Sequence, residues 1–183
     1  RQAVTGMFDT ADIDTIQKLC QKEKMHLEYE NIGKNESKEI TKMTYEQICA
    51  CLKKGVYQVA FSIYRQGKDW QSLSMADQGF EKPAFLYMEN DKNYLELTVR
   101  EMKAMTKGGA MLSGHIQTVK CRSSRDVLTD LPIKDKKIQI PFEDFEFEQL
   151  SETEITGQIQ LFMTSSVGEK RMPESMATLI VKL

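Results

Sequence analysis

Strict apolar–polar alternation between Lys136 and Thr164 constrains the fold of this chain more than any other feature. Ile138, Ile140 and Phe142 alternate with Lys137, Gln139 and Pro141, and Phe145 and Phe147 continue one residue out of phase. Ile155, Gly157, Ile159, Leu161 and Met163 then alternate with Thr156, Gln158, Gln160, Phe162 and Thr164. A period of two sends one set of side chains into a core and the other into water, so the stretch predicts two β-strands. The slip of phase predicts a bulge, and Pro141 predicts a bulge or an edge position.

The same period recurs elsewhere. Tyr57, Val59, Phe61 and Ile63 share one face of a strand, Ala84–Met88 form a short apolar strand after Pro83, and Met111–Cys121 and Ala177–Leu183 read as two more. Tyr94–Met105 fits both periods; a strand through Arg100 is the reading taken, the remainder staying open. Two helices are expected near the start. Thr10 caps one that carries Ile13, Ile16, Leu19 and Cys20 on a single face. The other has capping-box spacing between Thr44 and Gln47, an apolar stripe of Tyr45, Ile48, Cys49 and Leu52, and Gly55 as its C-cap. Between them, Met25–Glu30 reads as a strand and Asn31–Lys42 as a loop; Arg65–Lys68 and Asn90-Asp91 are turns, and Arg122–Asp135 and Gly168–Pro173 are connections. The fold class is therefore α+β and β-dominated: a twisted sheet or partly open sandwich with two N-terminal helices. All 183 residues form one domain, residues 1–55 a helical portion and 56–183 a β-rich core. That core should contain Ile48, Leu52, Val59, Phe61, Ile63, Leu97, Ile116, Ile140, Ile159, Leu161 and Leu179.

Net charge is −2, which makes no global case for nucleic acid, but the charges are unevenly placed. From Arg100 to Lys137 nine basic residues face four acids, whereas Phe142 to Glu154 hold six acids and no base. Such a chain is electrically two-ended. Lys120, Arg122 and Arg125 at one strand end, with Lys134, Lys136 and Lys137 at the start of the next, form a candidate surface for phosphates of lipid, nucleoprotein or nucleic acid, provided the strands are neighbours. Glu143, Asp144, Glu146 and Glu148 form its candidate counterpart in head-to-tail self-association.

Catalytic constellations are thin. His26 and His115 have no partners at ligand spacing, Lys107-Gly108-Gly109 lacks the spacing of a phosphate loop, and Ser123-Ser124 lacks a nucleophile elbow. Cys20, Cys49, Cys51 and Cys121 contain no CxxC pair and read as buried thiols of a reducing, cytoplasmic compartment, so no zinc or other metal is expected. The expectation is a protein without enzymatic activity or cofactor. No apolar run approaches the roughly 18 residues that span a bilayer, and no signal peptide is visible from Arg1 onward.

Leu131-Pro132, the basic Lys134, Lys136 and Lys137, Ile140-Pro141-Phe142 and the strand Thr156–Thr164 together resemble the C-terminal part of rhabdovirus matrix proteins, over about a fifth of the chain. That resemblance implies a structural protein that self-associates as a homo-oligomer and bridges an anionic membrane and a viral nucleoprotein, in the cytoplasm, at the membrane or in the virion. The family's proline-rich late-domain motif and basic N-terminal tail have no counterpart here. Gly55–Phe61 followed by Arg65-Gln66-Gly67 is similar to the first core strand of plant-virus movement proteins, whose acidic residue would fall near Asp77. That alternative implies nucleic-acid binding. A cellular β-rich protein-interaction domain is the third reading.

Overall fold

The computed structural model describes residues 4–5, 40–66, 72–89 and 92–183. The expected helix after Thr10, the strand Met25–Glu30, most of the loop Asn31–Lys42, the residues Gly67, Lys68 and Trp70, and the Asn90-Asp91 turn lie outside the described residues. The strands are β1 (Val4–Thr5), β2 (Thr41–Met43), β3 (Gly55–Arg65), β4 (Ala84–Met88), β5 (Tyr94–Thr98), β6 (Met102–Met105), β7 (Met111–Arg122), β8 (Leu128–Leu131), β9 (Lys137–Pro141), β10 (Glu146–Ser151), β11 (Glu154–Val167), β12 (Lys170–Arg171) and β13 (Ser175–Lys182). One α-helix, α1 (Tyr45–Cys51), and two 3-10 turns, Met75–Gly79 and Phe142–Asp144, complete the described elements.

The main path of neighbours runs β2-β10-β11-β13-β3-β4-β5-β9. Its continuity depends on β3, whose first half pairs with β4 (Gly55 opposite Met88 through Val59 opposite Ala84) and whose second half pairs with β13 (Ala60 opposite Lys182 through Arg65 opposite Ala177). One long strand thus serves two sheets: β4, β5 and β9 on one side, β13, β11, β10 and β7 on the other. Buried residues of both sheets join a single core, including Leu86, Leu95, Leu97, Ile138 and Ile140 from the first and Ile116, Val119, Ile159, Leu161, Met163, Leu179 and Val181 from the second. The result is a curled, open β-structure, so the β-dominated fold class holds. Every expected core residue is buried except Leu52, which packs half-buried against the others.

Local sequence explains most elements. The capping box at α1 is closed on both sides: Gln47 N donates to Thr44 Oγ1 at 3.3 Å and Thr44 N donates to Gln47 Oε1 at 2.8 Å. The helix stops at Cys51, and Gly55, expected as its C-cap, opens β3 instead. Pro141 sits on β9, the last strand of the path, where a missing N–H costs no sheet partner. The expected bulge after Phe142 is a 3-10 turn over Phe142–Asp144. That turn carries the chain out of the first sheet, where β9 pairs with β5, and into the second, where β10 pairs with β11 and β2. The two connections expected as loops contain pairing of their own. Leu128–Leu131 line the edge of β7, and Lys170–Arg171 fold back on Ser166 and Val167. The stretch after Arg100, ambiguous by periodicity, is a strand: β6 pairs with β7, Met105 opposite Met111.

Candidate functional site

The register brings several strand termini to one end of the second sheet. At this end β3 finishes opposite the start of β13 (Arg65 opposite Ala177), β11 finishes opposite the start of β7 (Val167 opposite Gly114), and β6 finishes at Met105. Leu73 bridges to Tyr64 at the end of β3, and Met172 N donates to Ser165 O at 2.7 Å beside the β11–β12 turn. Large apolar side chains stand exposed around this rim: Leu73, Met75, Met105, Met111, Leu112 and Met172, with Met105 at 70% and Met75 at 62% exposure. They are six of the nine exposed large hydrophobics among the described residues, the others being Ile40, Val127 and Leu128. Lone surface apolar residues are ordinary, but a gathered set marks a binding surface.

The Met75–Gly79 turn that carries part of the rim is anchored at several points. Ser74 caps it, its Oγ accepting from Ala76 N at 3.3 Å. Asp77, buried, takes the place of a strand partner for β3: its Oδ1 accepts from Ile63 N at 2.8 Å, and Lys82 Nζ lies 2.8 Å from its Oδ2. At the other end of the turn, Gly79 packs so closely on β7 that an added Cβ would come within 2.9 Å of Ile116 Cγ1. The turn therefore spans from β3 to β7 across the sheet. Asp77→Ala removes a buried acceptor from a strand N–H and unpairs Lys82, which is itself partly in water. The expected loss is about 1–3 kcal/mol of unfolding free energy, read by urea denaturation; a loss within about 0.5 kcal/mol, the ordinary scatter of surface substitutions, would show that the turn is held by packing alone.

The basic residues singled out by sequence do not form one end. β7 pairs with β6, β8 and β11, whereas β9 pairs with β5, so the strands carrying them are not neighbours. Half of them are held by acids: Lys120 Nζ lies 3.1 Å from Glu174, Arg122 3.4 Å from Asp126, and Lys137 Nζ 2.7 Å from Glu96. The hydrogen bond to the buried Glu96 carboxylate raises the pKa of Lys137. Lys134 and Lys136 flank the turn into β9, closed by the Lys134–Lys137 bridge, and Arg125 stands in the β7–β8 connection; all three are exposed. The acidic residues are unequally exposed. Glu143 and Glu146 are exposed, Glu148 is half-buried, and Asp144 is turned inward by the 3-10 turn. Cys49, Cys51 and Cys121 are free thiols; Cys51 Sγ donates to Gln47 O at 3.1 Å, and burial followed by the Asp144 charge pushes the Cys121 thiol up to about 11. His115 is exposed on β7, its Nδ1 3.1 Å from Ser166 Oγ. No group of three or more His, Cys, Asp or Glu suited to a metal ion occurs among the described residues.

The rim itself escaped sequence reading. The chain has 11 methionines, but those at the rim sit at strand ends and turns, where no periodicity singles them out. Only the antiparallel register, set by contacts far apart in the chain, collects them.

A gathered set of exposed apolar side chains thus closes one end of this β-rich fold. The model of the NEAT family, the iron transport-associated domain, matches residues 50–160, more than half of the chain, and the chain belongs to that family. Among curated proteins no match was found. Similar solved structures include the NEAT5 domain of IsdX2, a B. anthracis hemophore in complex with heme, at 15% identity and a TM-score of 0.45 over 70% of this chain and 96% of that one. A point mutant of the same IsdX2 domain, also in complex with heme, matches at the same identity and TM-score, over 71% of this chain and 96% of that one.

Family membership overturns the viral readings. The chain is not a matrix protein, and the homo-oligomer, membrane, nucleoprotein and nucleic-acid partners drawn with that reading go with it. The physical reason is that alternation marks any half-buried strand, whatever the family. The two strands that carried most of the matrix resemblance, β9 and β11, lie in different sheets. The movement-protein alternative fails likewise: Asp77, placed where that family has its acidic residue, bonds the β3 backbone and Lys82.

Proposed function

We propose that this chain is a non-enzymatic binding module of iron transport that takes up heme as cargo on its methionine-rich end. The observation that carries the reading is the gathering of Leu73, Met75, Met105, Met111, Leu112 and Met172 at one end of the second sheet. A porphyrin is a flat, apolar plate with charged propionates at one edge. It asks for an apolar surface and gains roughly 25 cal/mol for each Å² of apolar area it covers. Methionine suits such a surface because its unbranched, polarisable side chain adapts to an aromatic face. Side chains of the types that hold heme iron stand at this end as well: His115 on β7, Tyr64 on β3, and the four rim methionines.

The test is a hemin titration of the whole chain followed in the Soret region. The expected result is a saturating band shift at one hemin per chain, with a difference spectrum distinct from free hemin. A linear, non-saturating response identical to that of an unrelated protein would overturn the reading. If His115 holds the iron, His115→Ala changes the Soret maximum while leaving hemin bound.

A further inference from the structure

On the outer face of the second sheet, toward the far end of β7, lies a pocket of about 480 Å³ that the apolar rim does not touch. Its walls come from four places in the fold: Arg122, Ser123, Ser124 and Asp126 at the end of β7; Asp144 from the 3-10 turn with Glu146 on β10; Gln158 and Gln160 on β11; and Thr178 on β13. The volume falls within the ordinary range for small-molecule sites, but the lining is polar. Two of its charges, Arg122 and Asp126, are satisfied within the protein. The Arg122 guanidinium lies 3.4 Å from Asp126 and 5.2 Å from the centre of the Phe162 ring. Glu146 Oε2 accepts from Gln158 Nε2 at 3.5 Å, a long bond that leaves its other oxygen open.

Asp144 is different. It is 9% exposed, and its carboxylate has no hydrogen bond or ion pair among the described residues. Only its backbone carbonyl is used, accepting from Ser124 N at 3.0 Å. No enclosed side-chain oxygen among the described residues lacks a partner, so the Asp144 oxygens open onto solvent while the residue around them is buried; a partly desolvated carboxylate of this kind gains from a charged partner. Burial first, then the Glu143 charge, raise its pKa against the pull of Arg125. Beside it stands Ser123, also buried, whose Oγ accepts from Val127 N at 3.2 Å and keeps its proton to donate.

We propose that this pocket binds a small organic cation through a primary ammonium group, with Asp144 as its principal counter-ion. Counting Arg122 against Asp126, the lining keeps two carboxylates, Asp144 and Glu146, with no ion pair; Arg125, outside the lining, attracts Asp144 without pairing with it. An ammonium has three donors and no acceptor; the Asp144 carboxylate, the Glu146 carboxylate and the side-chain carbonyl of Gln160 offer it three acceptors. A cation meeting a partly desolvated carboxylate forms a charge-assisted bond about twice as strong as a neutral one. The ammonium belongs either to a free amine or to a lysine side chain, and the experiment separates these sources.

The full chain, labelled with ¹⁵N, is titrated with n-butylammonium chloride, with n-butanol as the uncharged match, and with Nα-acetyl-lysine amide. Saturable shifts at the amides of Ser123, Ser124, Glu146 and Gln160 are expected with the ammonium probes and absent with butanol. Tighter binding of Nα-acetyl-lysine amide than of butylammonium assigns the pocket to a lysine side chain, and the reverse order to a free amine. Asp144→Asn keeps the shape, removes the charge and should weaken ammonium binding at least tenfold while the spectrum stays dispersed. Glu146→Gln provides a second variant at an exposed position and should weaken binding more modestly. Equal shifts with butanol, no saturation with either ammonium, or an Asp144→Asn variant that binds as well as the parent would each overturn the proposal.

Discussion

Placing glutamate at Met75 and Leu112 together should weaken hemin binding on the order of 100-fold and leave the melting temperature within a degree or two. The two residues sit on different parts of the rim, one on the Met75–Gly79 turn and one at the start of β7. Covering a large apolar side chain fully is worth about 1.5–3 kcal/mol. Both are already exposed in the free chain, Met75 at 62% and Leu112 at 37%, so the cargo gains only part of that from each. Glutamate removes the gain and repels the propionates of heme. Together these effects come to roughly 3 kcal/mol, or about a hundredfold in affinity. Because neither side chain is in the core, folding should change by no more than about 0.5 kcal/mol. Val127→Glu with Leu128→Glu is the control: both are exposed apolar residues, but they follow Arg122 at the far end of β7. A hemin titration in which both pairs lose affinity equally would mean that the pigment adheres to any apolar surface. One in which neither loses affinity would remove the rim from the site.

The contrast between what the sequence disclosed and what it hid follows from the range of the interactions involved. α1 was legible because its capping box is closed within four residues, Thr44 to Gln47. β3, β4 and β13 were legible because a strand buried on one face writes a period of two into its own residues, as Val59, Phe61 and Ile63 do. β8 was not, because it is an edge strand with three of its four residues exposed, and its only instruction is the partner β7. The rim and the Asp144 pocket were hidden for the same reason. Each is assembled by register: Leu73 and Met111 meet one end of the sheet from opposite edges, and Arg122 meets Gln160 only because β7 pairs with β11. Asp144 stands in the sequence as one acid in a run of acids, and nothing local distinguishes the one that the 3-10 turn folds inward. The viral resemblances erred where the signal was most generic, in alternating strands that many β-folds share.

Phe142→Ala should destabilise the fold more than any other substitution named above. Phe142 opens the turn by which the chain leaves β9 in the first sheet and enters β10 in the second, and it is fully buried. Its ring meets Phe147 at 5.0 Å and Phe145 at 5.7 Å between centroids, and lies edge-on to Tyr45 of α1 at 6.2 Å. It thus touches the helix, the crossover and the second sheet at once, and its backbone N–H donates to Asn93 O at 3.0 Å. Truncating a buried phenylalanine in a core costs about 3–5 kcal/mol. For a chain of this size each kcal/mol lowers the melting temperature by about 2–4 °C, so a fall of roughly 10 °C or more is expected by calorimetry. Phe142→Leu, which keeps most of the volume, should recover more than half of it. Phe85→Ala, on a half-buried side chain of β4, should cost well under half as much as Phe142→Ala. A loss below about 1 kcal/mol at Phe142, far short of the usual cost of such a cavity, would mean that the two sheets hold together through β3 alone.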